Sequence, residues 1–264
     1  MKRTGFTLVE LLVVIGIIAL LMAVTVPALQ RSRQQAKAVV CGSNIKQLLL
    51  ALFAFESDNQ RLPFGFDDTR SNPPAGSWPG YIQYDRLGWW WFNYIADYSK
   101  KNKGKTTCIL CPSKNLQGTE LKYNVLCGNY GVNLSVCKYT TGRSGAEFIG
   151  TPLTLADIAH PGQTLLIVDS GYSIINWTHA TDTPPFTLGN IIEDTAYIPG
   201  LKINKEKTNL WSGQIADAIE GRHPRRTVNI GFADGHVSRE KAEDLFVEKT
   251  ETGYKNRSPL WRPK

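Results

Sequence analysis

The stretch "RHPRRTVNIGFADGHVS" brings His223, Asp234 and His236 close together in the chain, and an imidazole beside a carboxylate can share a proton or hold a cation. Asp169, at the end of the apolar run "TLLIVDS", supplies another carboxylate, which makes Asp169 and Asp234 the candidate ligands for a calcium ion. A plainer reading competes: Asp234-Gly235 between two alternating runs is a strong hairpin signal that needs no catalysis. Oxygen ligands at EF-hand spacing do not occur, nor do a G-x-S-x-G elbow, an H-E-x-x-H pair, a P-loop or a dinucleotide fingerprint. The expectation is a protein that is not an enzyme and needs no cofactor, with calcium the one ion these carboxylates suggest.

The five cysteines, Cys41, Cys108, Cys111, Cys127 and Cys137, offer two chemistries. "CILC" with Cys127 and Cys137 could make a four-thiolate zinc site, but nine residues separate the second pair, well beyond zinc-ligand spacing. In a body exported to an oxidising compartment, disulfides are the better default. A bond from Cys41 to Cys108 or Cys111 would clamp a loop onto the helix that carries Cys41, and the odd count leaves at least one thiol over. Connectivity stays open at this point. Trp78, Trp89, Trp90 and Trp91 could stack on sugars, which makes polysaccharide a candidate partner, although such residues more often fill a core.

These groups need elements to position them, and the first is the N-terminal helix. From Leu11 to Leu29 no side chain is charged, a length of roughly 28 Å at the helical rise and close to the hydrocarbon thickness of a bilayer. The segment meets lipid. As a secretory signal peptide, with Val26-Pro27-Ala28 at the cut, its apolar run is too long and Glu10 is misplaced. Beyond Pro27 the stripe Ala38, Cys41, Ile45, Leu48, Leu49, Leu52 and Phe53 recurs at three- and four-residue steps. One helix from Phe6 to about Phe55, kinked at Pro27 and about 75 Å long, is expected.

Downstream, "SDNQRLPFGFDDTRSNPPAGSWPG" reads as a loop and "DRLGWWWFNYIADYSKK" as a helix with largely buried aromatics. "NYGVN" lies among short strands and turns. "TLADIAHPGQTLLIVDSGY" gives a short helix, a turn at Pro161-Gly162 and a strand from Thr164 to Val168. The last such unit runs strand, Asp-Gly turn, strand and short helix. The formal charge of +7 is dispersed, and no nucleic-acid motif accompanies it, so nucleic acid is not an expected partner.

"GFTLVELLVVIGIIALL" resembles the leader and first helix of type IV pilins and type II secretion pseudopilins, with Gly5, Phe6, Glu10 and Pro27 at the family's positions. The resemblance implies cleavage by a prepilin peptidase between Gly5 and Phe6 and methylation of the new amine. It also implies single-pass residence in a bacterial inner membrane, with the N-terminus cytoplasmic and the body periplasmic or surface-exposed. An unpaired charge in a membrane costs a few kcal/mol, and the freed Phe6 amine is the cation that could offset Glu10. In the family the favoured amine is a neighbouring subunit's, so Glu10 would set register between like subunits. "CPS", "NYGVN", "HPGQTLLIVDS" and the His223, Asp234, Gly235 stretch further resemble prepilin-like proteins ending in an H-x9-DG motif. Here ten residues, not nine, separate His223 from Asp234, which calls for a bulge or longer turn around "PRRT".

The expected fold is α+β, a long spine helix packed on a small antiparallel sheet. Its expected divisions are a leader at 1–5, a transmembrane half-helix at 6–29, an amphipathic half at 30–55, a globular body at 56–249 with the motif at 223–235, and a basic flexible tail at 250–264. The expected role is a structural pseudopilin subunit of a type II secretion or pilus-like machine. The alternatives are a membrane-tethered binding module, perhaps for polysaccharide, and, more remotely, a secreted hydrolase.

Overall fold

The computed structural model describes residues 7–70, 88–98, 108–141, 146–184 and 196–263. Its spine is helix α1, Leu8–Asn59, which continues through Pro27 and measures about 78 Å at the standard rise. Thr7 caps it: the Glu10 amide donates to the Thr7 hydroxyl at 3.2 Å, and the Thr7 amide donates back to the Glu10 carboxylate at 2.9 Å. Gln60, in the left-handed region at φ 55°, ends it.

Two surroundings divide α1. From Leu8 to Leu29 every side chain is exposed, and this part is long and apolar enough to cross a bilayer. From Ala38 the face Cys41, Asn44, Ile45, Leu48, Leu49, Ala51, Leu52 and Phe55 is buried against the body, the stripe expected from periodicity with Phe53 only half-buried. One helix thus carries an apolar belt all round in its first half and an amphipathic stripe in its second.

The stripe packs on a five-stranded sheet. Its strands are β3 (Tyr130–Asn133), β4 (Leu165–Asp169), β5 (Ile174–Ile175), β6 (Thr227–Phe232) and β7 (Val237–Lys241), following a small pair, β1 (Phe66–Asp67) and β2 (Trp89–Trp90). The order is β5-β3-β4-β6-β7, antiparallel throughout except for β3 with β5. Gly231 on β6 lies under the helix: a Cβ there would come within 2.7 Å of Ile45 and 2.8 Å of Leu49, so the strand approaches the spine only because it lacks one.

Three segments depart from expectation. The tryptophan run is not a long helix. Trp89 and Trp90 are extended in β2, and only Trp91–Tyr94 makes a single helical turn, α2. Extended backbone sends successive side chains to opposite sides, so Trp90 enters the core while Trp89 stays half-buried under the Arg70 guanidinium, 4.5 Å away. Phe66–Asp67, read as loop, supplies the pairing strand. The C-terminal stretch is not loose either. After the hairpin β8 (Glu248–Thr250) and β9 (Gly253–Lys255), Trp261 is fully buried, donating from Nε1 to the Leu245 carbonyl at 3.0 Å and accepting from Asn133 Nδ2 at 2.8 Å. One large aromatic outweighs the polar composition that suggested a tail.

Substitution Trp261→Ala should therefore cost about 3–5 kcal/mol, and Gly231→Val about 1–3 kcal/mol by overpacking against Ile45 and Leu49. Denaturant unfolding of the full chain in detergent measures both. An unshifted midpoint for Trp261→Ala would mean that the C-terminal stretch is not docked in solution.

Candidate functional site

Four distant segments meet where the spine crosses the sheet. Cys41 comes from α1, Cys111 from the "CPS" loop, Asp169 from the last position of β4, and His223 from the chain just before β6. All four are buried, and their Sγ, carboxylate and imidazole atoms lie within 4.8 Å of one another. Among the described residues this is the one group of three or more His, Cys, Asp or Glu side chains close enough to share an ion.

Each is held by its neighbours. Asn44, one helical step beyond Cys41, donates to the Leu110 carbonyl at 3.1 Å and so fixes the loop against the spine. The Cys111 amide donates to Asn129 Oδ1 at 3.0 Å. Asp169 Oδ2 accepts from the Asn229 backbone amide at 2.6 Å and from Asn229 Nδ2 at 3.0 Å, and lies 3.0 Å from His223 Nε2. Gly42 allows the helix to come this close, since a Cβ there would sit 3.3 Å from Asn229 Oδ1. The Cys41 and Cys111 sulfurs are 2.7 Å apart. Asp169 Oδ1 and His223 Nδ1 are buried without a hydrogen-bond partner.

A second ion pair stands beside the first. Arg222, wholly buried, grips Asp217 through Nε at 3.1 Å and Nη2 at 2.6 Å, and donates to the carbonyls of Asn129 at 2.8 Å and Ser170 at 2.9 Å. Asp217 lies on helix α5, Ile215–Glu220, which follows the short helices α3 (Thr119–Tyr123) and α4 (Leu134–Cys137). Arg222 and His223 are adjacent, so one dipeptide ties together the chain just before β3, the end of β4 and α5.

The electrostatics follow from burial and pairing. For His223, burial works against the charge, but the Asp169 carboxylate and its hydrogen bond outweigh that and push the imidazole up to about 9. For Asp169, burial alone would raise the carboxyl, but the His223 charge and hydrogen bond, the Arg222 charge and the Asn229 amide hold it below its ordinary value. Burial pushes the Cys111 thiol well up and Cys108 up to about 11.

The chemistry read from sequence is redistributed. His223 does not meet Asp234; it meets Asp169. Asp234 and His236 occupy the exposed hairpin beyond the far end of β6, where Asp234 Oδ1 accepts from the His236 amide at 3.0 Å and lies 2.6 Å from its Nδ1. An Asp169–Asp234 calcium pair is therefore not formed: one carboxylate is buried with an imidazole and the other is at the surface. Asp234-Gly235 is a turn. Gly235 has φ 92°, its carbonyl accepts from Lys46 Nζ at 2.7 Å, and a Cβ there would come within 2.9 Å of Phe53. Before β6 lies the turn Pro224–Arg226, with Arg225 and Arg226 left-handed at φ 60° and 54°.

The four-thiolate zinc reading also fails, because Cys111 is drawn to Cys41 and away from Cys108, Cys127 and Cys137. Trp90 and Trp91 are interior, and Trp78 lies outside the described residues, as do Gly5 and Phe6. Glu10 is capped by Thr7 and Pro27 sits inside α1. Asn229, Arg222, Asp217 and Asn129 were not singled out beforehand; Asn229, a polar residue between the apolar Val228 and Ile230 of a strand, was the available signal.

Two titrations bound the stability this site confers. His223 is raised from 6.5 to about 9, so its contribution is full below about pH 6.5 and lost as pH rises through about 9. Asp169 is lowered from 3.8, so its contribution is present above that value and lost as pH falls through the depressed one. Asp169→Asn, which strands the imidazole, should cost about 3–5 kcal/mol near neutrality and flatten the alkaline fall, read from denaturant unfolding across pH. An alkaline fall unchanged in the variant would assign it to another group.

Comparison with known proteins extends these findings. Residues 1–26 match the family model of the prokaryotic N-terminal methylation motif. The chain is 35% identical over 82 residues to the competence protein ComGC of Halalkalibacterium halodurans, covering 31% of this chain and 74% of that protein. It is 31% identical over 110 residues to the type II secretion system core protein G of Pseudomonas aeruginosa, covering 38% of this chain and 78% of that protein. A core protein G from Aeromonas hydrophila is 34% identical over 91 residues, 31% of this chain and 64% of that protein. No solved structure matches the chain significantly. With a methylation motif at its start, one uncovered apolar helix behind it and two such relatives each matched over more than two thirds of their length, the chain belongs to the pilin-like family of single-pass, membrane-anchored prepilin-type proteins.

Proposed function

We propose that the chain is a pseudopilin-type structural subunit, cut by a prepilin peptidase between Gly5 and Phe6, methylated at Phe6, and assembled with like subunits in a type II secretion or pilus-like machine. The observation that carries this reading is the division of α1. Its first half, Leu8 to Leu29, is exposed on every side, whereas the body grips the helix only from Ala38 onward. A helix used only as an anchor has no need of a carboxylate near its start. Glu10 is hydrogen-bonded by Thr7 within one chain, and a carboxylate placed at a membrane favours a nearby cation. The amine of a neighbouring Phe6 is the cation that assembly would bring. The body would lie outside the cytoplasm.

The tethered polysaccharide binder gains no support from the aromatic run, because Trp90 and Trp91 serve the core.

Mass spectrometry of the mature N-terminus should find N-methyl-Phe6; a start near Leu29 would overturn the reading. Glu10→Ala should leave membrane insertion intact and sharply reduce recovery in complexes or filaments. Incorporation equal to wild type would refute the assembly role of Glu10.

A further inference from the structure

We propose that Cys41 and Cys111 form a disulfide that joins the spine helix covalently to the "CPS" loop of the body. The two sulfurs face each other at 2.7 Å inside the core, and the backbones that carry them are already fixed by Asn44 and Asn129. The positions are 70 residues apart, so the bond closes a long loop, the case in which a cross-link restrains the unfolded chain strongly.

A metal ion fits this cluster less well. Two thiolates bound to one tetrahedral zinc at about 2.3 Å are held about 3.8 Å apart, wider than the sulfurs here. Charge points the same way. Asp169 balances His223 and Asp217 balances Arg222, so a neutral disulfide leaves the interior balanced. A dication with two thiolates, the Asp169 carboxylate and a neutral imidazole would leave a net negative charge buried.

The oxidant is a disulfide, whether of a thiol oxidase or of glutathione. The Cys41 thiolate attacks one of its sulfurs, forming a mixed disulfide and expelling one oxidant thiolate. The Cys111 thiolate then attacks the Cys41 sulfur and expels the second. Two protein thiols and one oxidant disulfide become one protein disulfide and two oxidant thiols. Both sulfurs are shut from solvent in the folded chain, so the bond forms as the core closes.

In the cell, formation rests on the body being exported as proposed above, and two measurements keep the questions apart. The full chain is isolated from membranes, its thiols are blocked in denaturant without reductant, and its peptides are mapped. Separately, the reduced, denatured chain is refolded in detergent with oxidised and reduced glutathione and mapped in the same way. A peptide joining Cys41 to Cys111 is expected in both, lost on reduction and absent from Cys41→Ser. A link in the refolded chain alone supports the pair and counts against export of the body. Both thiols blocked in both samples, or becoming blocked only after a zinc chelator, would overturn the proposal. The unfolding midpoint of the wild type should fall on reduction to that of Cys41→Ser; a midpoint indifferent to reductant would also count against it.

Discussion

The contact between the outer half of α1 and strand β6 is the constraint on which the rest of the body depends. Ile45 and Leu49 descend onto Gly231, and one step away Gly42 admits the Asn229 side chain. β6 lies between β4 and β7, so a strand gripped by the helix passes its position to both neighbours. The apolar stripe supplies most of the favourable free energy in the usual way, by area removed from water. The depth of approach is a different matter: at Gly231 a Cβ would meet Ile45 and Leu49, so its absence lets the strand come close to the spine.

Charge at the core then narrows the arrangement further. Arg222-His223 places two cations where water cannot reach, and each is matched by a carboxylate from a different element, Asp217 of α5 and Asp169 of β4. A slipped strand would leave one of these charges unpaired, a penalty larger than the loss of a few apolar contacts. The hairpin at Asp234-Gly235 closes the other end of β6, with Lys46 from the spine reaching the Gly235 carbonyl. The stretch from His223 to Gly235 therefore ties one end of β6 to β4 through the His223–Asp169 pair and the other to the spine through Lys46. Arg225 and Arg226 are left-handed in the turn before the strand, and the pairing of β6 with β7 is unbroken.

Much of this was legible in the chain where the physics is local. The spine stripe was visible because helical periodicity repeats within a few residues, and the Asp-Gly hairpin because the turn demands residues that tolerate positive φ. The tryptophan run and the C-terminal stretch were misread for a common reason. Composition describes how a segment behaves alone, whereas Trp90 and Trp261 are placed by pockets that other segments build.

The sequence by itself determined the division of labour along α1: a charge-free belt that lipid can solvate, Glu10 near its start, and then a stripe that a sheet must cover. Tertiary structure alone decided the partners of the chemistry-bearing residues. His223 goes to Asp169 and Cys41 to Cys111 because the strand order β3-β4-β6 beneath the helix brings four remote segments to one point. That convergence depends on non-local packing and on pairing every buried charge, neither of which leaves a short-range mark in the chain.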